Sequence, residues 1–285
     1  MNQIAITTDS ACDMSKEMLN ENQIEVLPLH VIFGTKEYAD GVDVTSKDVL
    51  KFIDETGTLP KTSACSVEEY RSFFARKSVG YDRVIYVSIS SGLSCTVQNA
   101  MIAAEEFGGK VIVIDSKQLS SGQALLVLKA CRLRDEGRTA EEIATQLLQV
   151  RERIRLSCVV NKLDNLCKGG RCTAVASFAS KLLRIHPVIE TRDGSMAVSK
   201  KYLGTLKHCI NQYLDDLAGQ VRVCDDIGAF IVHADCDSGI IEAAKRKLEE
   251  KFHFPKLYVA EAGSAVSTHC GQGAFCVVYL EKQEQ

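Results

Sequence analysis

The feature that most constrains this chain is a repeated order: an apolar β-rich run, a polar Gly/Ser loop, then a stretch with helical spacing. The β-rich runs stand at residues 4–7, 26–32, 84–89, 111–114, 156–160, 187–190, 229–233, 257–260 and 275–280. Between them, Val97, Met101 and Ala104 fall on one helical stripe of 96–107. Ala124, Leu128 and Cys131 do the same in 123–136, with Leu125 beside them. Thr139 and Glu142 form a capping box that opens a helix carrying Ile143, Leu147 and Val150. Ser238 is placed to cap a helix running to Phe252. Strands that alternate with helices bury their faces under those helices, so the pattern predicts an α/β fold with largely parallel strands.

With 285 residues, the chain has the length of about two domains at ~150 residues each. The charged stretch 151–155 lies between a helical segment and the run 156–160, which sets the expected domains at 1–155 and 156–285. Only four prolines are present, so no Pro-rich linker separates the halves, and they are expected to pack directly. A net charge of -3 argues against a general nucleic-acid binder. No apolar run approaches the ~20 residues of a membrane span, and residues 1–10 lack a basic leader, so the expected location is the cytoplasm. Twelve cysteines without a Cys-x-x-Cys pair suggest free thiols in a reducing compartment, used mainly for packing.

Four polar loops carry the candidate chemistry: 61–66, 88–96, 115–122 and 263–273. A loop leading into a helix points backbone N–H groups outward, and those donors with the helix dipole favour an anion. Gly92 permits close backbone approach. Each loop alone is more simply a set of N-caps. Together they predict a small anionic group held by neutral donors, phosphate and carboxylate both remaining open. The chain has no Gly-x-Ser-x-Gly elbow, no Gly-x-x-x-x-Gly-Lys-Ser/Thr loop, and no Gly-x-Gly-x-x-Gly after its first strand. Asp9, Ser10 and Asp115 follow strands, but no second carboxylate stands in the same loop, so no metal is expected. His269 is the only histidine inside a Gly/Ser-rich loop, and His233 reads as a core residue at a strand end. Residues 192–195 read as a hairpin turn.

Six motifs taken in order resemble the DegV family over nearly the whole chain. They are Asp9-Ser10-Ala11-Cys12-Asp13; Thr62-Ser63-Ala64-Cys65-Ser66, like Thr-Ser-x-x-Ser; and Ser90-Ser91-Gly92-Leu93-Ser94-Cys95-Thr96. The others are the strand ending in Asp115-Ser116; Leu163 to Arg171 with its Lys168-Gly169-Gly170-Arg171; and His269-Cys270-Gly271-Gln272-Gly273-Ala274. Cys95 and Gln272 depart from the Gly and Pro common there, and Leu203 stands where several members carry an Arg associated with a kinase partner.

The resemblance implies two packed α/β domains with one long-chain fatty acid, such as palmitate or oleate, at their interface. It implies a carboxylate site at Thr62, Ser63, Ser91, Gly92, Ser94 and His269, the imidazole adding a charge-assisted bond. Phe178, Leu182 and Leu183, in a helix expected over 174–185, would line the acyl slot. Lys168, Arg171 and His269 would flank the entrance or meet the partner. That partner is implied to be a separate ATP-dependent fatty acid kinase making acyl-phosphate for phospholipid synthesis, with transient membrane contact. No catalytic residue, cofactor or metal is implied in this chain. Two rival readings are a phosphotransfer enzyme acting through His269 and a ligand-free regulatory module.

Overall fold

The computed structural model describes residues 3–161, 163–171, 184–219, 224–252 and 254–281. The first strand, β1 (Ile4–Asp9), is buried along its whole length, so it lies inside a sheet. A short helix α1 (Lys16–Glu21) returns the chain to β2 (Ile24–Leu27) on one side of β1. Pro28 then interrupts the apolar run that reads as one strand over 26–32. Beyond it the chain builds a small antiparallel sheet of β3 (His30–Phe33), β4 (Lys36–Ala39) and β5 (Lys61–Ser63), with α2 (Ser46–Thr56) between the last two. After α3 (Val67–Ser78), strand β6 (Arg83–Ser88) takes the other side of β1. Helix α4 (Thr96–Ala104) and strand β7 (Val111–Asp115) complete a four-stranded sheet, β2-β1-β6-β7, that is parallel throughout.

Helices α3 and α4 cover one face of this sheet over a cluster of Tyr70, Phe73, Phe74 and Tyr86. The other face takes α5 (Ser120–Asp135) and α6 (Ala140–Val150). Helix α5 is buried on most of its surface, with Ala124 to Val127 fully buried. The reason is its position between two sheets: β1 and β6 on one side, β8, β11 and β13 on the other.

The second sheet begins at β8 (Ile154–Val159), next to the boundary expected at 155. After α7 (Asp164–Lys168) come β9 (Ile185–Arg192), β10 (Ser195–Leu203), α8 (Leu206–Ala218), β11 (Cys224–His233), α9 (Ser238–Lys251), β12 (Leu257–Glu261), α10 (Ser264–Cys270) and β13 (Phe275–Glu281). The order is β10-β9-β8-β13-β11-β12, antiparallel except for β11 with β12. Parallel pairing therefore holds for the first sheet and not for the second. The Asp193-Gly194 turn, with φ of +48° and +78°, supplies the two-residue hairpin joining β9 to β10.

Several sequence expectations change. Residues 263–273 are not a loop but mostly helix α10. There Ser267 and Thr268 donate their hydroxyl hydrogens to the carbonyls of Ala262 and Ser264, so the hydroxyls do not compete with the helix. The α9 cap is Asp237, whose carboxylate accepts from the Gly239 and Ile240 N–H groups. Cys158 and Cys276 form a disulfide rather than two free thiols, because β8 and β13 set them directly opposite each other, 118 residues apart in sequence. The expected slot residues Phe178, Leu182 and Leu183 lie outside the described residues, and Ile185 opens β9 rather than closing a helix. Among the described residues, no helix is long and apolar enough to cross a membrane.

Candidate functional site

A cavity of about 90 Å³ lies between the two sheets, bordered by residues of both halves. Its walls are apolar: Ile89 and Leu93 after β6, Leu119 before α5, Leu156 and Val160 around β8, Ile189 on β9, and Val232 on β11. Polar groups gather in one part of its lining. Thr62 and Ser63 come from the end of β5, Ser94 from the loop before α4, Arg171 from the segment after α7, and His269 from α10. Four stretches distant in sequence therefore converge.

The His269 Nε2 atom lies 2.8 Å from the Thr62 hydroxyl oxygen. Its Nδ1 atom is buried without a partner. Burial, and then the Arg171 guanidinium, push the imidazolium pKa down to about 4. The ring is therefore neutral at pH 7, and the cation of the site is Arg171. Its Nε donates to the Leu93 carbonyl at 3.3 Å and its Nη1 to that of Gly169 at 2.6 Å, which holds the half-buried guanidinium beside the loop carrying Ser94. The Ser94 hydroxyl is paired with that of Thr96 at 2.7 Å and accepts from the Thr96 N–H at 3.3 Å, which leaves it capacity for one further hydrogen bond.

Two expected members stand apart. Ser91 is exposed and donates its hydroxyl hydrogen to Asp115 at 2.6 Å. Gly92 faces the β9–β10 hairpin: a β-carbon there would sit 2.6 Å from the Gly194 carbonyl oxygen. The neighbouring Ser90 donates to that same oxygen at 2.6 Å. The absent side chain at 92 thus serves the contact between the halves. Lys168 is exposed at the end of α7, three residues before Arg171.

Behind the site stand three buried carboxyls. Asp9 accepts from the N–H groups of Ala11 and Ile89 and from Gln123. Asp13 accepts from the Ser120 hydroxyl at 2.5 Å and from the Gly263 N–H at 2.8 Å. Asp40 accepts from the Ser10 hydroxyl and the Ser264 N–H. Together they tie the β1 loop, the start of α5 and the start of α10, which frame the cavity. Desolvation raises Asp9 to about 6 and Asp13 to about 8, and it raises Asp40 as well. Their role is positional, through hydrogen bonds to loop backbone.

Comparison with known proteins now bears on the chain. A family model described as "Uncharacterised protein, DegV family" matches residues 3–282. The chain belongs to the DegV family. A DegV domain-containing protein of Clostridium acetobutylicum is 34% identical over 283 residues, covering 99% of this chain and all of the relative. Among solved structures, a fatty-acid-binding DegV family protein from Thermus thermophilus superposes with a TM-score of 0.90 at 26% identity, covering 98% of this chain and 100% of its own. DegV from Bacillus subtilis, described as a fatty acid binding protein, gives 0.84 at 25% identity, covering 99% and 100%.

Within this DegV chain, sequence reasoning missed several cavity residues. His233 lines the cavity with a buried, unpartnered Nδ1, and burial lowers its pKa. Its position at the carboxyl end of β11 was the available signal. Cys158, Cys270 and Cys276 also border the space. Nothing in their spacing announces that, because strand pairing brings them there.

Proposed function

We propose that this protein holds one long-chain fatty acid, with its carboxylate among Thr62, Ser63, Ser94, His269 and Arg171 and its tail in the apolar cavity between the sheets. The observation that carries this reading is the cavity itself: apolar walls, with neutral hydroxyl donors and one half-buried arginine gathered together. The two structural neighbours described as fatty-acid-binding support the same ligand class.

The chemistry of the lining favours a carboxylate. When the neutral His269 donates from Nε2 to the Thr62 oxygen, the Thr62 hydrogen is freed to point at an anion. Ser94 and the guanidinium add further donors, and hydrogen bonds to an ionised acceptor are the stronger kind. The tail supplies most of the binding free energy at about 0.8 kcal/mol per buried methylene, less the cost of association.

The role that fits such a carrier is presentation of the carboxylate to a separate ATP-dependent kinase, with Lys168 and Arg171 at the docking face and acyl-phosphate passing to phospholipid synthesis. The test is mass spectrometry of lipid extracted from the purified protein. About one fatty acid per chain supports the carrier reading and names the chain length. No lipid, together with no uptake of added palmitate or oleate, overturns it.

A further inference from the structure

A second cluster lies where β3, the 64–66 turn and the first turn of α3 meet. His30 opens β3 and pairs in register with Ser63 of β5. Cys65 directly precedes Ser66, the N-cap of α3, and Glu69 is the third residue of that helix. One ligand-type atom from each of His30, Cys65 and Glu69 lies within 4.8 Å of both others. The His30 Nε2 atom is 2.8 Å from a Glu69 carboxylate oxygen, and its Nδ1 atom is 2.7 Å from the Glu37 carboxylate.

We propose that His30, Cys65 and Glu69 form a site for a zinc-class divalent cation, with Glu37 as the outer partner of the histidine. The donor set is one imidazole nitrogen, one sulfur and one carboxylate oxygen. That mixture suits Zn²⁺, whereas Mg²⁺ and Ca²⁺ prefer oxygen alone. In a tetrahedral site the nitrogen and sulfur ligands stand roughly 3.5 Å apart, so from within 4.8 Å the sulfur needs to close by about 1.3 Å at most, while the carboxylate oxygen, now 2.8 Å from Nε2, opens by about 0.5 Å. Glu37 completes the usual outer arrangement, in which a carboxylate accepts from the second ring nitrogen and fixes the tautomer that offers Nε2 to the metal.

The remaining geometry fits an ion that arrives from solvent. The His30 side chain is 17% exposed and that of Glu69 43%, which leaves an open side for a water as fourth ligand. The Cys65 thiol is buried and donates to the Pro28 carbonyl at 3.0 Å. On binding, the S–H bond breaks, the sulfur keeps the electron pair and bonds the cation, and one proton leaves to solvent. Glu69 keeps its other carboxylate oxygen on Ser66, so the capping box survives. Cys65 occupies one of the two variable positions of the Thr-Ser-x-x-Ser motif. Occupancy would fix the turn three residues from Thr62.

Co²⁺ is the probe, titrated into the full-length protein after chelator treatment. The expected result is one ion per chain with a near-ultraviolet thiolate-to-cobalt band, absent in Cys65→Ser, and displacement of Co²⁺ by Zn²⁺ with release of about one proton. Glu37→Ala, at an exposed position that leaves the fold intact, is expected to weaken Zn²⁺ binding about tenfold to a hundredfold. No thiolate band in the parent, or an undiminished band in Cys65→Ser, overturns the proposal. So does Zn²⁺ affinity unchanged in both Glu37→Ala and His30→Gln.

Discussion

His269 rests its Nδ1 edge directly on the α-carbon of Gly169, with no room between them for a β-carbon. The two residues come from motifs 100 positions apart. Each makes sense only with the other. Gly169 is not in a left-handed conformation, so its missing side chain answers a packing demand, unlike that of Gly170, whose φ is +73° and whose surroundings are open.

Gly169→Ala should therefore push the imidazole off Thr62. Fatty-acid affinity is expected to fall at least tenfold, with a lower melting temperature. Gly170→Ala is the control: a backbone cost of about 1 kcal/mol with binding retained. Displacement of a fluorescent fatty acid, run beside thermal melts of both variants, separates the two effects. Equal affinity in Gly169→Ala and the parent would show that the imidazole position does not matter.

Thr62→Val keeps the side-chain volume and removes the hydroxyl. The lost bond is one to an ionised group, worth about 1.5–3 kcal/mol, so the dissociation constant should rise about tenfold to a hundredfold. Ser91→Ala should leave binding unchanged, since that hydroxyl is engaged by Asp115 outside the cavity lining. Titration with oleate checks both. A loss in Ser91→Ala that matches Thr62→Val would return Ser91 to the headgroup site.

Local rules made much of this legible from sequence. The Thr139/Glu142 capping box, the Asp193-Gly194 hairpin and the helical stripe of Ala124, Leu125, Leu128 and Cys131, all buried, are present in the structure. These depend on neighbours within a few positions. What the sequence hid depends on pairing at long range. The disulfide needs β8 to meet β13, and the antiparallel second sheet needs a strand order that periodicity does not encode. Gly92 looked like a ligand-approach glycine because its partner, Gly194, lies 102 residues away. Residues 263–273 looked like a loop because their Ser, Thr and Gly content matches caps and turns, while the carbonyl partners that occupy the Ser267 and Thr268 hydroxyls in α10 are invisible in composition.

The Gly92–Gly194 contact predicts an effect on how the halves hold together. Gly92→Ala places a β-carbon against the Gly194 carbonyl and disturbs the Ser90 bond to the same oxygen. Strain of this kind costs typically about 1–3 kcal/mol. Hydrogen exchange should show faster opening in the 188–198 hairpin than in the β1 and β6 strands, whose packing is untouched. Uniform protection identical to the parent would mean that the hairpin is anchored elsewhere.

Asp13 makes the stability of the fold depend on pH in a particular direction. A carboxyl raised to about 8 by burial keeps its proton in the folded chain where the unfolded chain, with a value near 3.9, has released it. The folded state then binds more protons, so stability falls as pH rises. The contribution is full below about pH 4 and is lost by the time pH passes through 8. Asp9, raised to about 6, acts in the same direction but over a lower range. His269 acts in the opposite direction, because its lowered value costs stability as pH falls from 6.5 towards 4. Between pH 6.5 and 8 those two have levelled off, and Asp13 contributes a slope of up to about 1.4 kcal/mol per pH unit, in the same direction as any from Asp40, which burial also raises. Asp13→Asn keeps an acceptor for the Gly263 N–H and suits the left-handed backbone at that position, where φ is 53°. Its stability, measured by urea unfolding, should be flatter across that window and should gain on the parent at pH 8. Parallel curves for the two proteins would remove Asp13 as the source of the slope, leaving Asp40, raised by the same desolvation, as the group to replace next.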